Sequence, residues 1–314
     1  MVYSGQCIAI LGATCCWKSQ SALALAESLD AEIISCDSMQ VYRGLDIGTA
    51  KPSTEELQRV KHHLISCLDL HEPFDANRFV QAASACLQDI WKRGRVAILV
   101  GGSGLYARAL IYGFEMLPSN QELSKKLQEE LKLPDGRQKL LAFLENSVDR
   151  TSIIPDEIYR NPRRLLRACE VLQLTGKPPW ELAKKLDQPK PAYQQFCIFP
   201  EFALLKQRIR RRTEKMLSAG WIEEALQAGQ AGLLETPTAR QALGYRDILE
   251  FVGVGLPGGL EALRELLSNR TIQYARRQLT WFKHQHPGST QIMIQDEEQA
   301  LEQILQQIKR SLAC

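Results

Sequence analysis

Short unbroken apolar runs alternate along this chain with longer stretches of helical spacing. The runs are 7–11 (CIAIL), 32–36 (EIISC), 95–100 (RVAILV) and 196–199 (FCIF). Runs this short, apolar at successive rather than alternate positions, suit strands buried on both faces of a parallel sheet. Between the first two, Ala22, Leu23, Leu25, Ala26 and Leu29 recur at helical spacing, and residues 75–91 do the same ahead of the third. Strands and helices in alternation predict an α/β fold, a parallel sheet core flanked by helices. After Gly113 the texture changes. Residues 118–189 read as largely polar helix with no strong strand run, which predicts a helical insertion. The expected organisation is a core of 1–117 and 191–314 with an insertion at 118–190.

Two strand-to-helix junctions carry chemistry. Gly12 opens a loop after the first run, and Lys18-Ser19 closes it where the helical spacing begins. In that context backbone N–H groups face an anion at the positive end of a helix dipole. The lysine adds a point charge, and the Ser19 hydroxyl reaches a phosphate-bound Mg²⁺. One position departs from the G-x-x-x-x-G-K-[ST] pattern of an NTPase-like P-loop: Trp17 stands where the second glycine belongs. A Cβ there restricts φ, and an indole beside the anion's approach is expected to weaken binding, so Trp17→Gly is expected to tighten it. The same pattern also suits an ordinary strand-to-helix turn. The second junction is Gly101-Gly102-Ser103-Gly104, after the third run and ahead of another helix. Ala107 stands where G-x-G-x-x-G needs its last glycine, so it does not read as a dinucleotide site. Asp37 ends the second run and falls at the same rim, since ligands of open parallel sheets gather beyond the carboxyl ends of strands. An Asp there is a turn former or helix cap at least as readily as a base.

Composition narrows the class. The chain has 314 residues, a formal net charge of +3 and nine cysteines. No apolar run approaches the roughly 18 residues of a membrane span, and no secretory leader is visible, so a cytoplasmic protein with no membrane partner is expected. The cysteines are odd in number, scattered and without C-x-x-C spacing, which suits reduced thiols better than a zinc site or disulfides. Because net charge is small, any basic surface is local. Arg160, Arg164 and Arg167 fall at i, i+4 and i+7, as if on one helix face, with Arg163 beside them. Such a face is either solvated or phosphate-tracking. Arg208 and Arg212 lie one turn apart and are candidates to clamp a pyrophosphate. Residues 270–286 (RTIQYARRQLTWFKHQH) mix basic and aromatic side chains, which suits base stacking or an amphipathic helix packed on the core. His62-His63 lack metal-ligand spacing and read as structural.

From 37–52 (DSMQVYRGLDIGTAKP) the chain resembles the tRNA dimethylallyltransferases, also called tRNA isopentenyltransferases. The resemblance continues in order through HHLISCLDLHEPFDANRF, VGGSGLYARAL, NPRRLLRACEVLQLTGKP, ARQALGYRDI and YARRQLTWFKHQ. It covers essentially the whole chain. It implies a P-loop α/β core with a helical insertion that embraces the tRNA anticodon stem. It also implies transfer of a dimethylallyl group from dimethylallyl diphosphate to the exocyclic amine of the adenine 3′ of the anticodon, in tRNAs reading codons that begin with U. Mg²⁺ is the implied cofactor and an anticodon stem-loop the implied partner; a monomer is expected. The implied catalytic set is Asp37 as general base with Lys18 and Ser19, the latter also holding the metal. Gly12, Ala13, Thr14, Cys15, Cys16, Trp17, Lys18, Ser19, Arg208 and Arg212 are the implied diphosphate-binding residues. The implied tRNA contacts are Asp37, Ser38, Met39, Gln40 and Ser103; Asn161, Pro162, Arg163, Arg164 and Leu165; and Arg240, Gln241, Ala242, Leu243, Gly244, Tyr245 and Arg246. Where the family reads G-P-T-A-S-G-K-T, this chain reads G-A-T-C-C-W-K-S. Competing readings are a tRNA-binding homologue impaired by Trp17, a P-loop small-molecule kinase, and an adenylate isopentenyltransferase, against which the large insertion argues.

Overall fold

The structure, a computed structural model, describes residues 5–113, 117–149, 151–182, 189–190 and 192–313. The first half of the core runs β1 (Cys7–Gly12), α1 (Lys18–Leu29), β2 (Glu32–Ser35), α2 (Thr54–Arg59), β3 (His62–His63), α3 (Ala76–Lys92), β4 (Ala97–Gly101) and α4 (Gly104–Tyr112). Helices α5 (Gln121–Lys132), α6 (Gly136–Ser147), α7 (Asp156–Arg160), α8 (Pro162–Thr175) and α9 (Pro179–Leu182) follow. The core resumes with β5 (Tyr193–Pro200), α10 (Phe202–Ser218), α11 (Trp221–Gln230), a 3-10 turn at Ala239–Gln241, α12 (Tyr245–Gly253), α13 (Gly259–Gln285), β6 (Thr290–Ile294) and α14 (Ala300–Ala313).

All strand pairings are parallel, and the sheet order is β3-β2-β4-β1-β5-β6. The strand order reverses direction at β1, which opens a crevice beyond its carboxyl end. Both faces are covered, and successive residues serve opposite cores. Cys7, Ala9 and Leu11 of β1 join the apolar cluster that includes α3, α4 and part of α13, whereas Ile8 and Ile10 join the one that includes α1 and α14. That is why the central strands read as continuous apolar runs. β6 was not apparent from such a run, because Thr290, Gln291 and Met293 are exposed at the sheet edge and only Ile292 and Ile294 are buried. β3 is only two residues long and left no signal of its own.

Close packing divides the chain into one unit of 1–113 and 187–314 and another of 114–186, each boundary a few residues before the one expected from sequence. The second unit is helical among its described residues, with its own core of Leu127, Leu140, Leu144, Ile158, Leu165, Ala168, Cys169 and Leu172. No described helix is long and apolar enough to cross a membrane. The described cysteines are all free thiols.

Candidate active site at the carboxyl ends of the strands

The loop between β1 and α1 keeps a phosphate-loop backbone without its second glycine. Gly12 has φ +148°, where a Cβ would meet the Ile198 carbonyl oxygen at 2.8 Å and Cys16 Sγ at 2.9 Å. Cys15 (φ +62°) and Trp17 (φ +60°) both take the left-handed region that glycine adopts freely, a conformation that costs an L-residue roughly 1–2 kcal/mol. The indole is not left in the open: Trp17 is 6% exposed and buried with Leu23, Phe196 and Ile198. Its carbonyl accepts the Ser21 N–H at 2.9 Å, starting α1. Lys18 is buried, donates from Nζ to the Ala13 carbonyl oxygen and lies 3.7 Å from Cys16 Sγ. Burial pushes the Cys16 thiol up, with the Lys18 charge partly opposing it. Ser19 is exposed one residue further on.

Above this loop, Arg208 of α10 stacks its guanidinium 3.8 Å from the centre of the Trp17 ring. It donates from Nε to the Cys15 carbonyl at 3.0 Å and from Nη1 to Glu297 at 2.5 Å. Arg212 lines the same cavity. The two arginines therefore differ: Arg208 is held by the loop itself, whereas Arg212 has no ion pair or hydrogen bond among the described residues.

The second glycine-rich loop meets the first through Gln278 of α13. Gln278 Oε1 accepts the Thr14 N–H at 2.9 Å, and its Nε2 donates to the Gly102 carbonyl at 2.9 Å. Glycine is required on this seam. A Cβ on Gly101 would lie 2.0 Å from the Cys36 carbonyl oxygen, and one on Gly102 would lie 2.4 Å from Gln278 Nε2.

Asp37 is both turn former and cavity residue. Its Oδ1 accepts the Met39 and Gln40 N–H groups at 2.8 and 3.3 Å, which leaves Oδ2 available. Ser103 Oγ accepts the Ser38 N–H at 3.0 Å, so the second loop also fixes this turn. Beyond it, the Glu224 carboxylate accepts the N–H groups of Asp46, Ile47 and Gly48 at 2.8, 2.8 and 2.9 Å and the Tyr245 hydroxyl at 2.6 Å. That array holds 46–48 rigid where the wall of the site passes.

These pieces enclose one cavity of about 630 Å³, lined by 14–20, 37–40, 48–52 and 100–102 with Arg208, Arg212, Trp221, Gln241, Leu243, Thr271, Tyr274, Arg277 and Gln278. Burial and the neighbouring Asp37 charge raise the Tyr274 hydroxyl well above its ordinary value, with Arg277 opposing. The protein donor available to a metal here is an oxygen, the exposed Ser19 hydroxyl. Among the described residues no three His, Cys, Asp or Glu side chains cluster as a metal cage. That donor set fits Mg²⁺, which is commonly held by one or two protein oxygens and the phosphates of a substrate.

A model of the IPP transferase family matches residues 40–285. The chain belongs to that family. The tRNA dimethylallyltransferase of Thermus thermophilus is 37% identical over 297 residues, covering 93% of each chain, and that of Salinispora tropica is 37% identical over 284 residues, covering 89% of this chain and 86% of the relative. Among solved structures, the full-length tRNA isopentenylpyrophosphate transferase of Bacillus halodurans is 32% identical with a TM-score of 0.68, covering 98% of this chain and 97% of that one. A eukaryotic dimethylallyltransferase acting on tRNA reaches a TM-score of 0.80 at 26% identity, covering 96% of this chain and 77% of the other.

Within this IPP transferase, the expected site residues divide. Thr14 to Ser19, Asp37, Ser38, Met39, Gln40, Arg208, Arg212, Gln241 and Leu243 line the cavity. Gly12 and Ala13 are buried beneath the loop, and Ser103 stands just past the wall with its hydroxyl on Ser38. Arg240 and Arg246 are exposed beside the cavity segment. Three expected contact residues are corrected by burial. Leu165 (1% exposed) fills the helical core, Ala242 (4%) packs inward, and Tyr245 (0%) gives its hydroxyl to Glu224. Gly244 is buried as well, at φ +86° where a Cβ would lie 2.5 Å from the Trp221 ring. Ala242, Gly244 and Tyr245 thus support the wall of the site and Leu165 the helical core, instead of touching a ligand with a side chain.

The single arginine face is also corrected. Asn161 caps α8, its Oδ1 accepting the Arg163 and Arg164 N–H groups with Pro162 at the first helical position, so Arg160 ends a different helix. Arg160 and Arg164 pair with Asp156 and Glu157. Arg167 is structural: it donates to the buried Glu170 carboxylate at 2.7 Å and to the carbonyls of Leu117 and Pro118. The Trp17 indole, expected beside the anion's approach, is packed under Arg208 and into the core while still lining the cavity. Residues that the sequence reading did not single out are Gln278, Tyr274, Thr271 and Glu224. The first three recur at 271, 274 and 278, a polar stripe at helical spacing that was legible in principle.

Proposed function

We propose that this chain is a tRNA dimethylallyltransferase, an enzyme that prenylates the exocyclic amine of the adenine 3′ of the anticodon in tRNAs reading codons that begin with U. The dimethylallyl donor is dimethylallyl diphosphate, and the product is N6-dimethylallyladenosine. One observation carries the reading: a phosphate loop, an unshared carboxylate oxygen and a cationic, aromatic helix face open into the same cavity.

The chemistry follows from those parts. The bond from the amine nitrogen to the allylic carbon forms as the bond from that carbon to the diphosphate oxygen breaks. The amine is a poor nucleophile, so a carboxylate that accepts its proton helps, and Asp37 Oδ2 is the group for that task. Its partner oxygen is fixed on two backbone N–H groups, so the carboxylate cannot turn away. Negative charge grows on the leaving pyrophosphate, where Lys18, Arg212, Arg208 and the loop N–H groups oppose it. Ser19 and the diphosphate oxygens would hold Mg²⁺, which supplies further charge neutralisation there. An adenine must leave its stack to enter an enclosed site, and Tyr274 and Met39 offer it surfaces in return. Exposed Arg240, Arg246, Arg160, Arg163 and Arg164 are proposed RNA contacts. A cytoplasmic monomer needs no further partner for this reaction.

The test is direct. The protein is incubated with labelled dimethylallyl diphosphate, Mg²⁺ and an anticodon stem-loop, and label in RNA is measured. Salt-sensitive binding of the stem-loop without label transfer would reduce the protein to a binding module. Transfer of the γ-phosphoryl group of ATP to a small acceptor, with release of ADP, would instead indicate a kinase.

A further inference from the structure

Trp17 and Arg208 form a stacked pair that a glycine at 17 cannot make. The indole is buried, and the guanidinium carbon lies over it at 3.8 Å from the ring centre. A guanidinium stacked by its face keeps its donors free in its own plane. Two of those donors are already used in that plane. Nε holds the Cys15 carbonyl at 3.0 Å, inside the phosphate loop, and Nη1 holds Glu297 at 2.5 Å. Glu297 is anchored in turn by Arg211, whose Nη2 donates to both carboxylate oxygens at 2.7 Å. Nη2 of Arg208 has no hydrogen-bond partner among the described residues, and the side chain is only 19% exposed. The charge is thus pinned on three sides against a loop that it helps to line.

From this geometry we propose that Trp17 is a positioning residue for the diphosphate: its indole face holds Arg208 over the phosphate loop, so that the cation is ordered before the anion arrives. The proposal rests on the reading that the loop receives the diphosphate end of an allylic donor. It accounts for two facts together. Trp17 keeps an αL backbone that disfavours it, and its ring is turned under Arg208 and into the core. A preordered cation loses less freedom on binding than a mobile one, so affinity rises without a new contact. With glycine at 17 the backbone relaxes at φ +60° but the platform disappears. Arg208 then gains rotameric freedom and keeps its attraction to Glu297.

The variants are Trp17→Gly, Trp17→Phe, Arg208→Lys and the Gly/Lys double. Two quantities are read: binding of inorganic pyrophosphate with Mg²⁺ by calorimetry, and the KM and kcat of transfer from dimethylallyl diphosphate. Trp17→Gly is expected to weaken pyrophosphate about tenfold and raise the donor KM similarly. Trp17→Phe restores binding to within about threefold, because a flat apolar ring is kept. Arg208→Lys, which keeps charge but cannot stack, is expected to match the Gly variant, and the double variant to lose no more than either alone. Equal or tighter pyrophosphate binding by the Gly variant overturns the proposal, as do losses that multiply in the double. Should the Gly variant not fold, the Phe and Lys variants carry the same comparison: unchanged binding in Arg208→Lys rejects it. A wild-type protein that binds pyrophosphate but transfers no label rejects the transferase reading, while the binding arm still decides the role of Trp17.

Discussion

Gln278 and Thr14, 264 residues apart in sequence, are joined by a 2.9 Å hydrogen bond from the Thr14 N–H to the Gln278 side-chain oxygen. The same amide donates to the Gly102 carbonyl, so one buried side chain locks both glycine-rich loops to α13. Gln278→Leu keeps the bulk but leaves a buried donor and a buried acceptor unmet. It should destabilise the core by about 1–3 kcal/mol, read as a lower urea midpoint, and raise the donor KM. An unchanged midpoint together with an unchanged KM would show that the two loops hold their positions without it.

Asp37→Asn separates the two uses of that carboxylate. The amide oxygen still accepts the Met39 and Gln40 N–H groups, so the turn survives, but the basic oxygen is gone. Single-turnover transfer should fall about 100-fold or more while stem-loop affinity changes little. Near-normal single-turnover rates would remove Asp37 from the chemistry.

Acid stability should be lost in two windows. Glu32 is buried at the far end of β2, where hydrogen bonds from Arg93 above all, and from His63, hold its carboxyl at about 2 against an ordinary 4.5. A depressed carboxyl contributes stability that is whole above 4.5 and lost as pH falls towards 2. Burial holds His286 at about 4 against 6.5, so it stays neutral in the fold and its contribution is lost as pH falls from 6.5 towards 4. Each is on the order of 3 kcal/mol. Unfolding free energies measured from pH 7 downward should flatten in the lower window for Glu32→Gln and in the upper one for His286→Phe. Identical pH slopes in wild type and variants would refute both assignments.

The arginines of the helical unit should behave differently from one another. Arg167→Met strips the buried Glu170 of its cation, and the variant should unfold at lower temperature. Arg160→Ala removes only an exposed pair with Asp156, so stability should hold. If Arg160 touches an RNA phosphate, its loss should lower the salt slope of stem-loop binding by about one. An unchanged slope would mean that Arg160 is merely solvated.

How much of this was legible without a structure depended on the range of the interaction. The central strands β1, β2, β4 and β5, the helices beside them and the loop ending in Lys18-Ser19 were readable, because burial on both sheet faces and helical periodicity are local patterns. The ordered motif blocks named the family for the same reason. Even the break in the arginine face was written locally, since Asn161-Pro162 is a helix start. What the chain alone did not decide was which distant groups meet. The apolar runs do not encode the sheet order β3-β2-β4-β1-β5-β6, nor the exposed edge strand β6. One reading of 270–286 was a helix, but nothing in the chain set Gln278 against Thr14, Tyr274 beside Asp37 or Glu224 against the 46–48 loop. Trp17 is the sharpest case. Its sequence position beside Lys18 suggested obstruction, and only the fold, by bringing Arg208 over it, turned the indole into a buried platform. A side chain's direction is set by what it packs against, and here that partner lies nearly two hundred residues away.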